Sequence, residues 1–173
     1  MHTCITKQKK MGCIPSLCMP CCLPRSAPRF TIEGVFWARI VKIYDGDTWH
    51  GIIRVNGHSS TFVLRLAGLD TPELKGPGVS AKEKEAAAVV RNYCQTNWLH
   101  KTVRMVSQGM DKYGRLLVTV YPLTFYCFAC RTSVNQDLLK KGYAMPYDGG
   151  TKSKWVEHEL DAILGDKAFL PYD

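Results

Sequence analysis

An α+β domain, a strand barrel partly covered by three helices, is what this sequence predicts. Five short stretches rich in β-branched and aromatic residues alternate in part between apolar and polar, and three segments carry apolar residues at helical spacing. The 173 residues suffice for one domain with a full core and are too few for two. There is no internal repeat and no apolar run long enough to cross a bilayer.

Residues 35–43, 48–55 and 61–69 read as strands, joined by Asp45-Gly46-Asp47 and by Asn56-Gly57, both turn-forming sequences. Ser80-Ala81-Lys82-Glu83 has capping-box spacing, and Ala86, Val89, Val90, Tyr93, Asn97 and Trp98 follow at helical spacing, so this helix covers one end of the barrel. Strands follow at 102–107 and 116–121. Residues 122–131 form an insertion longer than a tight hairpin needs. A short helix over 134–141 stops at Gly142. Another over 153–164 puts Val156, Leu160, Ile163 and Leu164 on one stripe and stops at Gly165.

Residues 1–30 differ in kind from the expected folded domain, 31–173. They hold five cysteines (Cys4, Cys13, Cys18, Cys21, Cys22), four prolines and no acid, a composition that cannot bury a core and reads as a flexible tail. Three other readings stay open. Translation from Met11 would give Met11-Gly12-Cys13-Ile14-Pro15-Ser16, a myristoylation signal beside cysteines open to palmitoylation, and hence membrane attachment of an otherwise cytoplasmic chain. A secretory signal is the weaker reading, because prolines interrupt its apolar centre. Cys18-x-x-Cys21 and Cys127-x-x-Cys130 have zinc-knuckle spacing, but the gap between them is large; Cys127 and Cys130 could equally form a small disulfide or pack as hydrophobes. Cys94 is expected to be buried in its helix.

The net charge of +8 suggests nucleic acid, yet five of the basic residues lie in the tail. The remainder balances 18 basic against 15 acidic residues, so phosphate binding must rest on particular side chains. The candidates are Asp45 and Asp47 in Tyr44-Asp45-Gly46-Asp47-Thr48, Arg65, Asp70 and Glu73 in Arg65-Leu66-Ala67-Gly68-Leu69-Asp70-Thr71-Pro72-Glu73, and Arg115 in Asp111-Lys112-Tyr113-Gly114-Arg115. Three carboxylates (Asp47, Asp70, Glu73) offer hard oxygen ligands to a divalent cation, and two guanidiniums offer planar forks that match phosphate oxygens. Each piece has a bland alternative: Asp-Gly-Asp as a hairpin turn, Asp-Thr-Pro-Glu as a strand exit ended by proline. Arg65 is less easily dismissed. Phe62, Leu64 and Leu66 share one strand face and Arg65 points to the other, where a charge in so apolar a stretch needs an anionic partner. The five histidines form no ligand-spaced pair, which argues against zinc.

The order of these elements and motifs, from about residue 35 to 164, resembles the staphylococcal nuclease (thermonuclease-like) family. The resemblance implies a five-stranded OB-type barrel with three helices and calcium-dependent hydrolysis of DNA and RNA phosphodiesters, single strands preferred, by a monomer. It implies Asp47, Asp70 and the carbonyl of Thr71 as calcium ligands, and Asp45 as an outer carboxylate. It likewise implies Glu73 as the residue that orients or deprotonates the attacking water, and Arg65 and Arg115 as the grip on the scissile phosphate. Lys112 and Tyr113 match positions that hold a neighbouring phosphate. Tyr147 is the candidate for stacking on a base, or else a loop tyrosine packed on the barrel. Residues 74–78 are compact, so a mobile substrate loop there is expected to be short. The rival is an OB-fold nucleic-acid or protein-binding module without catalysis. Against it stands the expectation that acids clustered around an unfilled site repel one another.

Overall fold

β-Branched and aromatic residues at alternate positions put one strand face in the core and leave the other to solvent or to a covering helix. A computed structural model describes residues 31–123, 132–150 and 152–166 of the chain. The expected tail, its lipidation signal and cysteines, and Cys127 and Cys130 lie outside the described residues.

Five strands close a barrel in the order β1 (Glu33–Ile43), β2 (Thr48–Val55), β3 (His58–Leu66), β6 (Leu116–Tyr121), β5 (Thr102–Met110). All pairings are antiparallel except β3 with β6, so the barrel is mixed, and with its three helices it is the expected α+β class. Ala38, Ile40, Trp49, Ile53, Leu64, Leu66, Val103, Met105, Val118 and Val120 fill the interior. Gly51 is needed there: a Cβ would lie 2.9 Å from Leu64 Cδ1.

The expected continuous strand over 61–69 is broken. Gly68 adopts φ +78°, a left-handed turn that ends β3 at Leu66 and starts the short β4 (Leu69–Asp70), which pairs with β7 (Met145–Pro146). Helix α1 (Ala81–Trp98) buries Ala86, Val89, Val90, Tyr93 and Cys94 against the barrel. Ser80 Oγ accepts from Glu83 N–H at 3.0 Å, but the Glu83 carboxylate accepts from Glu73 N–H at 3.3 Å, so the motif's glutamate is spent on the site. Helix α2 (Val134–Lys140) has the full box from Ser133 and Gln136.

Helix α3 (Glu157–Leu164) starts four residues later than 153, because the Glu159 carboxylate accepts Val156 N–H at 2.9 Å and fixes the start there. Val156 is consequently exposed rather than on the buried stripe with Leu160 and Ile163. Lys82 joins α1 to α3 through Asp161 at 2.7 Å and Glu157 at 3.2 Å. No helix among the described residues is long and apolar enough to cross a membrane.

Candidate functional site

The Asp-Gly-Asp sequence is a turn, but a buried one. Asp45 Oδ1 accepts from Thr48 N–H at 2.7 Å and Asp47 N–H at 3.3 Å, the local bonding that makes aspartate a turn residue. Gly46 O accepts from Trp49 Nε1 at 3.1 Å, and Asp47 O from Leu66 N–H at 2.8 Å, which locks the turn onto the barrel end. A Cβ on Gly46 would stand 2.7 Å from both Thr71 Cγ2 and Val90 Cγ1, so only glycine lets this loop meet the β4 exit and α1 so closely. Burial, with the Glu73 charge adding to it against the Thr48 hydrogen bonds, holds the Asp45 carboxyl above the usual carboxylate range.

Arg65 is buried and sits between two acids. Its Nη2 reaches Asp70 Oδ1 at 3.0 Å and Leu69 O at 3.1 Å, while Nη1 makes ion-pair contact, without hydrogen-bond geometry, with Asp47 Oδ2. Thr71 N–H donates to the same Asp47 oxygen at 3.3 Å, so Asp47, Asp70 and the Thr71 backbone meet although their turns are far apart in sequence. Lys152 completes the pairing, its ammonium contacting Asp70 Oδ1 at 2.8 Å and also Glu73 Oε1. Burial opposes the Lys152 charge, but the hydrogen bonds it donates to Asp70 and Glu73 outweigh it and hold its pKa above the usual lysine value.

The third motif is the β5–β6 hairpin. Asp111 Oδ1 accepts from the N–H groups of Tyr113 and Arg115, both at 2.9 Å, and Oδ2 accepts from Arg115 Nε at 2.7 Å. Burial tends to raise the Asp111 pKa, yet these bonds and the guanidinium win and hold it below the ordinary value. Asp111 engages Arg115 at Nε, which leaves the fork's terminal edge for another anion. The Arg115 guanidinium and the Lys112 ammonium lie 5.4 and 5.1 Å from the Tyr113 ring centroid.

These elements share a cavity of about 340 Å³ lined by Asp45, Asp47, Arg65, Glu73, Lys112, Tyr113, Arg115, Tyr147 and Lys152 among others. Asp70 and Thr71 lie behind the lining, joined to it through Arg65, Lys152 and Asp47. Tyr147 is half-buried, its hydroxyl donating to Gly150 O at 2.9 Å and its N–H to Gly68 O at 3.2 Å, so the β7 loop holds it at the rim.

Two expectations need correction. Three carboxylates do not gather into one cluster: no group of three acidic, histidine or cysteine side chains among the described residues stands ready to hold a metal. Arg65 and Lys152 interleave with the acids instead. For the same reason the acids do not face one another uncompensated. What the turns do bring together is two carboxylates, Asp47 and Asp70, with the Thr71 N–H bonded to Asp47. One guanidinium contacts both Asp47 and Asp70, so the two carboxylates lie close enough to share one positive charge. Lys152 and Asp111 were missed in the sequence. Lys152 sits in a Gly- and Lys-rich loop with no spacing signal, whereas Asp111 heads the same five-residue motif as Arg115 and its turn role was readable.

A closed five-stranded barrel with acids and guanidiniums gathered at one end defines an OB-type α+β domain with an ionic pocket in its loops. Residues 63–163, more than half of the chain, match the family described as staphylococcal nuclease homologue, and the chain belongs to that family. It is similar to probable endonuclease LCL3 of Podospora anserina, 26% identical over 80% of this chain and 58% of the relative. It also resembles a probable endonuclease of Schizosaccharomyces pombe, 29% identical over 58% of this chain and 45% of that protein. An uncharacterized protein of Methanocaldococcus jannaschii is 30% identical over 65% of this chain and 59% of its own length. The chain thus spans about half the length of these relatives.

Proposed function

We propose that this chain is a calcium-dependent nuclease that hydrolyses phosphodiester bonds of DNA and RNA. One observation carries the proposal: Asp47, Arg65, Glu73, Lys112, Tyr113 and Arg115, from strand β3 and three separate loops, line one cavity. Family membership and the relatives named probable endonuclease support it.

Asp47, Asp70 and the Thr71 carbonyl would hold calcium, which when bound supplies charge stabilisation to the phosphoryl oxygens. Glu73, once released from Lys152, orients the attacking water and takes its proton as the new P–O bond forms. The opposite P–O bond breaks, and its oxygen leaves with a proton from solvent. Arg65 and Arg115 face the charge that builds on the phosphoryl oxygens, which favours the transition state over the ground state. Lys112 and Tyr113 hold a neighbouring phosphate, and Tyr147 offers a base-stacking face at the rim.

A second reading has an observation of its own. Arg65 and Lys152 pair with Asp47, Asp70 and Glu73 without a metal and offset two of the three charges, so a binding module that never takes up calcium would also hold these acids in place. Incubation with single-stranded DNA, duplex DNA and RNA, in calcium and in chelator, separates the two. Cleavage in calcium that stops in chelator is expected; binding to all three with no cleavage under either condition would select the module.

A further inference from the structure

On the other side of the Asp45 turn lies a groove of about 510 Å³ that the catalytic proposal leaves unused. Lys42 at the end of β1 and Tyr44 just after it, Lys75 just after Glu73, Arg91 and Gln95 from α1, and His100 in the turn before β5 line it, and among the described residues no carboxylate does. In a folded part nearly balanced in charge, a groove with three permanent cations and no acid is a local excess that calls for an anion.

Two further features narrow the anion. The Nε of Arg91 is buried and has no hydrogen-bond partner among the described residues. Tyr44 is an exposed aromatic, 45% accessible, set beside the cations. Cations interleaved with an aromatic face are the means by which proteins hold single strands without reading their sequence: phosphates pair with the charges and a base stacks on the ring. The groove also joins the proposed site through the chain at both of its acid motifs. Tyr44 precedes Asp45, and Leu74 and Lys75 follow Glu73.

We infer that this groove is a second binding site for the sugar-phosphate backbone, which takes the part of a single strand that runs past Glu73 away from the scissile phosphate. The inference rests on the nuclease proposal for the strand's direction, but its binding test does not need cleavage. Lys42→Gln with Lys75→Gln changes two exposed side chains and should fold normally. Arg91→Gln tests the buried donor.

Affinity for a labelled single strand of about 20 nucleotides, measured by fluorescence anisotropy in chelator over a salt series, is the first readout. The double variant should bind roughly tenfold more weakly at low salt, and its log-log salt slope should be shallower by about 1.4, at about 0.7 per lost phosphate contact. Cleavage of a dinucleotide in calcium, too short to reach the groove, should be unchanged. Unaltered affinity and slope for the long strand would overturn the groove, and so would equal losses on long and short substrates. A wild-type protein that binds the strand but cleaves nothing in calcium would count against the nuclease proposal alone, because the slope comparison would still decide the groove.

Discussion

Arg65 cannot be treated as a phosphate grip alone, because it also neutralises Asp47 and Asp70 in the buried floor of the site. Removing one member of a buried charge set leaves the others uncompensated, at a cost of about 3–5 kcal/mol. Arg65→Ala should therefore lower stability by that order in urea melts as well as abolish turnover, whereas Arg65→Lys should keep most of the stability and still lose the bidentate fork. Equal stability of Arg65→Ala and wild type would show that the pairing contributes nothing. Lys152 is half exposed and belongs to the metal-free state, since calcium and its ammonium would compete for Asp70. Lys152→Met should tighten calcium binding by about threefold to tenfold in calorimetry; weaker binding would mean that Lys152 assists the site. Asp111 gives a pH signature. Its folded pKa is depressed, so its contribution is fully present above its unfolded value of 3.8 and is lost as pH falls through the lower folded value. Asp111→Asn should thus flatten the acid limb of the stability curve below about pH 4 and leave the limb above it parallel to wild type.

At the scale of elements, strand and helix positions were legible because side-chain period reports which face is buried, and β5, with Val103, Met105 and Ser107 buried between more exposed neighbours, alternates as that period requires. The break at Gly68 and the start of α3 were not legible. The first depends on one glycine's backbone angle and the second on the Glu159 side chain bonding back to Val156 N–H, and neither leaves a periodic mark. The same holds for the brace that fixes the site's geometry. Asn135, at the start of α2, donates to Ala67 O at 2.8 Å and Val118 O at 3.1 Å and accepts from Val120 N–H at 3.0 Å. It thereby ties the helix to β6 and to the turn that separates Arg65 from Asp70. Its sequence neighbourhood gives no hint of this, since its partners come from two distant segments. Asn135→Ala strands these buried groups and should cost about 2–4 kcal/mol. Asn135→Asp, which cannot donate to the two carbonyls, should be at least as harmful, and tolerance of both in denaturant melts would remove the brace from the account.

For the whole molecule, the barrel core and the ionic pocket are separate sources of stability, and the proposed calcium would bear on the second only. The hydrophobic interior runs from Ile32 to Ile163 without contribution from the site, and Arg65 and Lys152 already pair with Asp47, Asp70 and Glu73. Chelation should therefore leave a folded protein with a single cooperative melt. Calcium should add only its binding free energy, about 2.7 kcal/mol at a concentration one hundred times its dissociation constant, as a saturable rise in the midpoint. Magnesium, which demands a regular octahedron and gives up water reluctantly, should add less at the same concentration. A small-domain metal site that creates the fold behaves differently, because chelator then unfolds it outright. Loss of the cooperative melt in chelator would place calcium in that structural role. A midpoint that no calcium concentration moves would mean instead that Asp47 and Asp70 bind no cation, and that Arg65 holds them permanently.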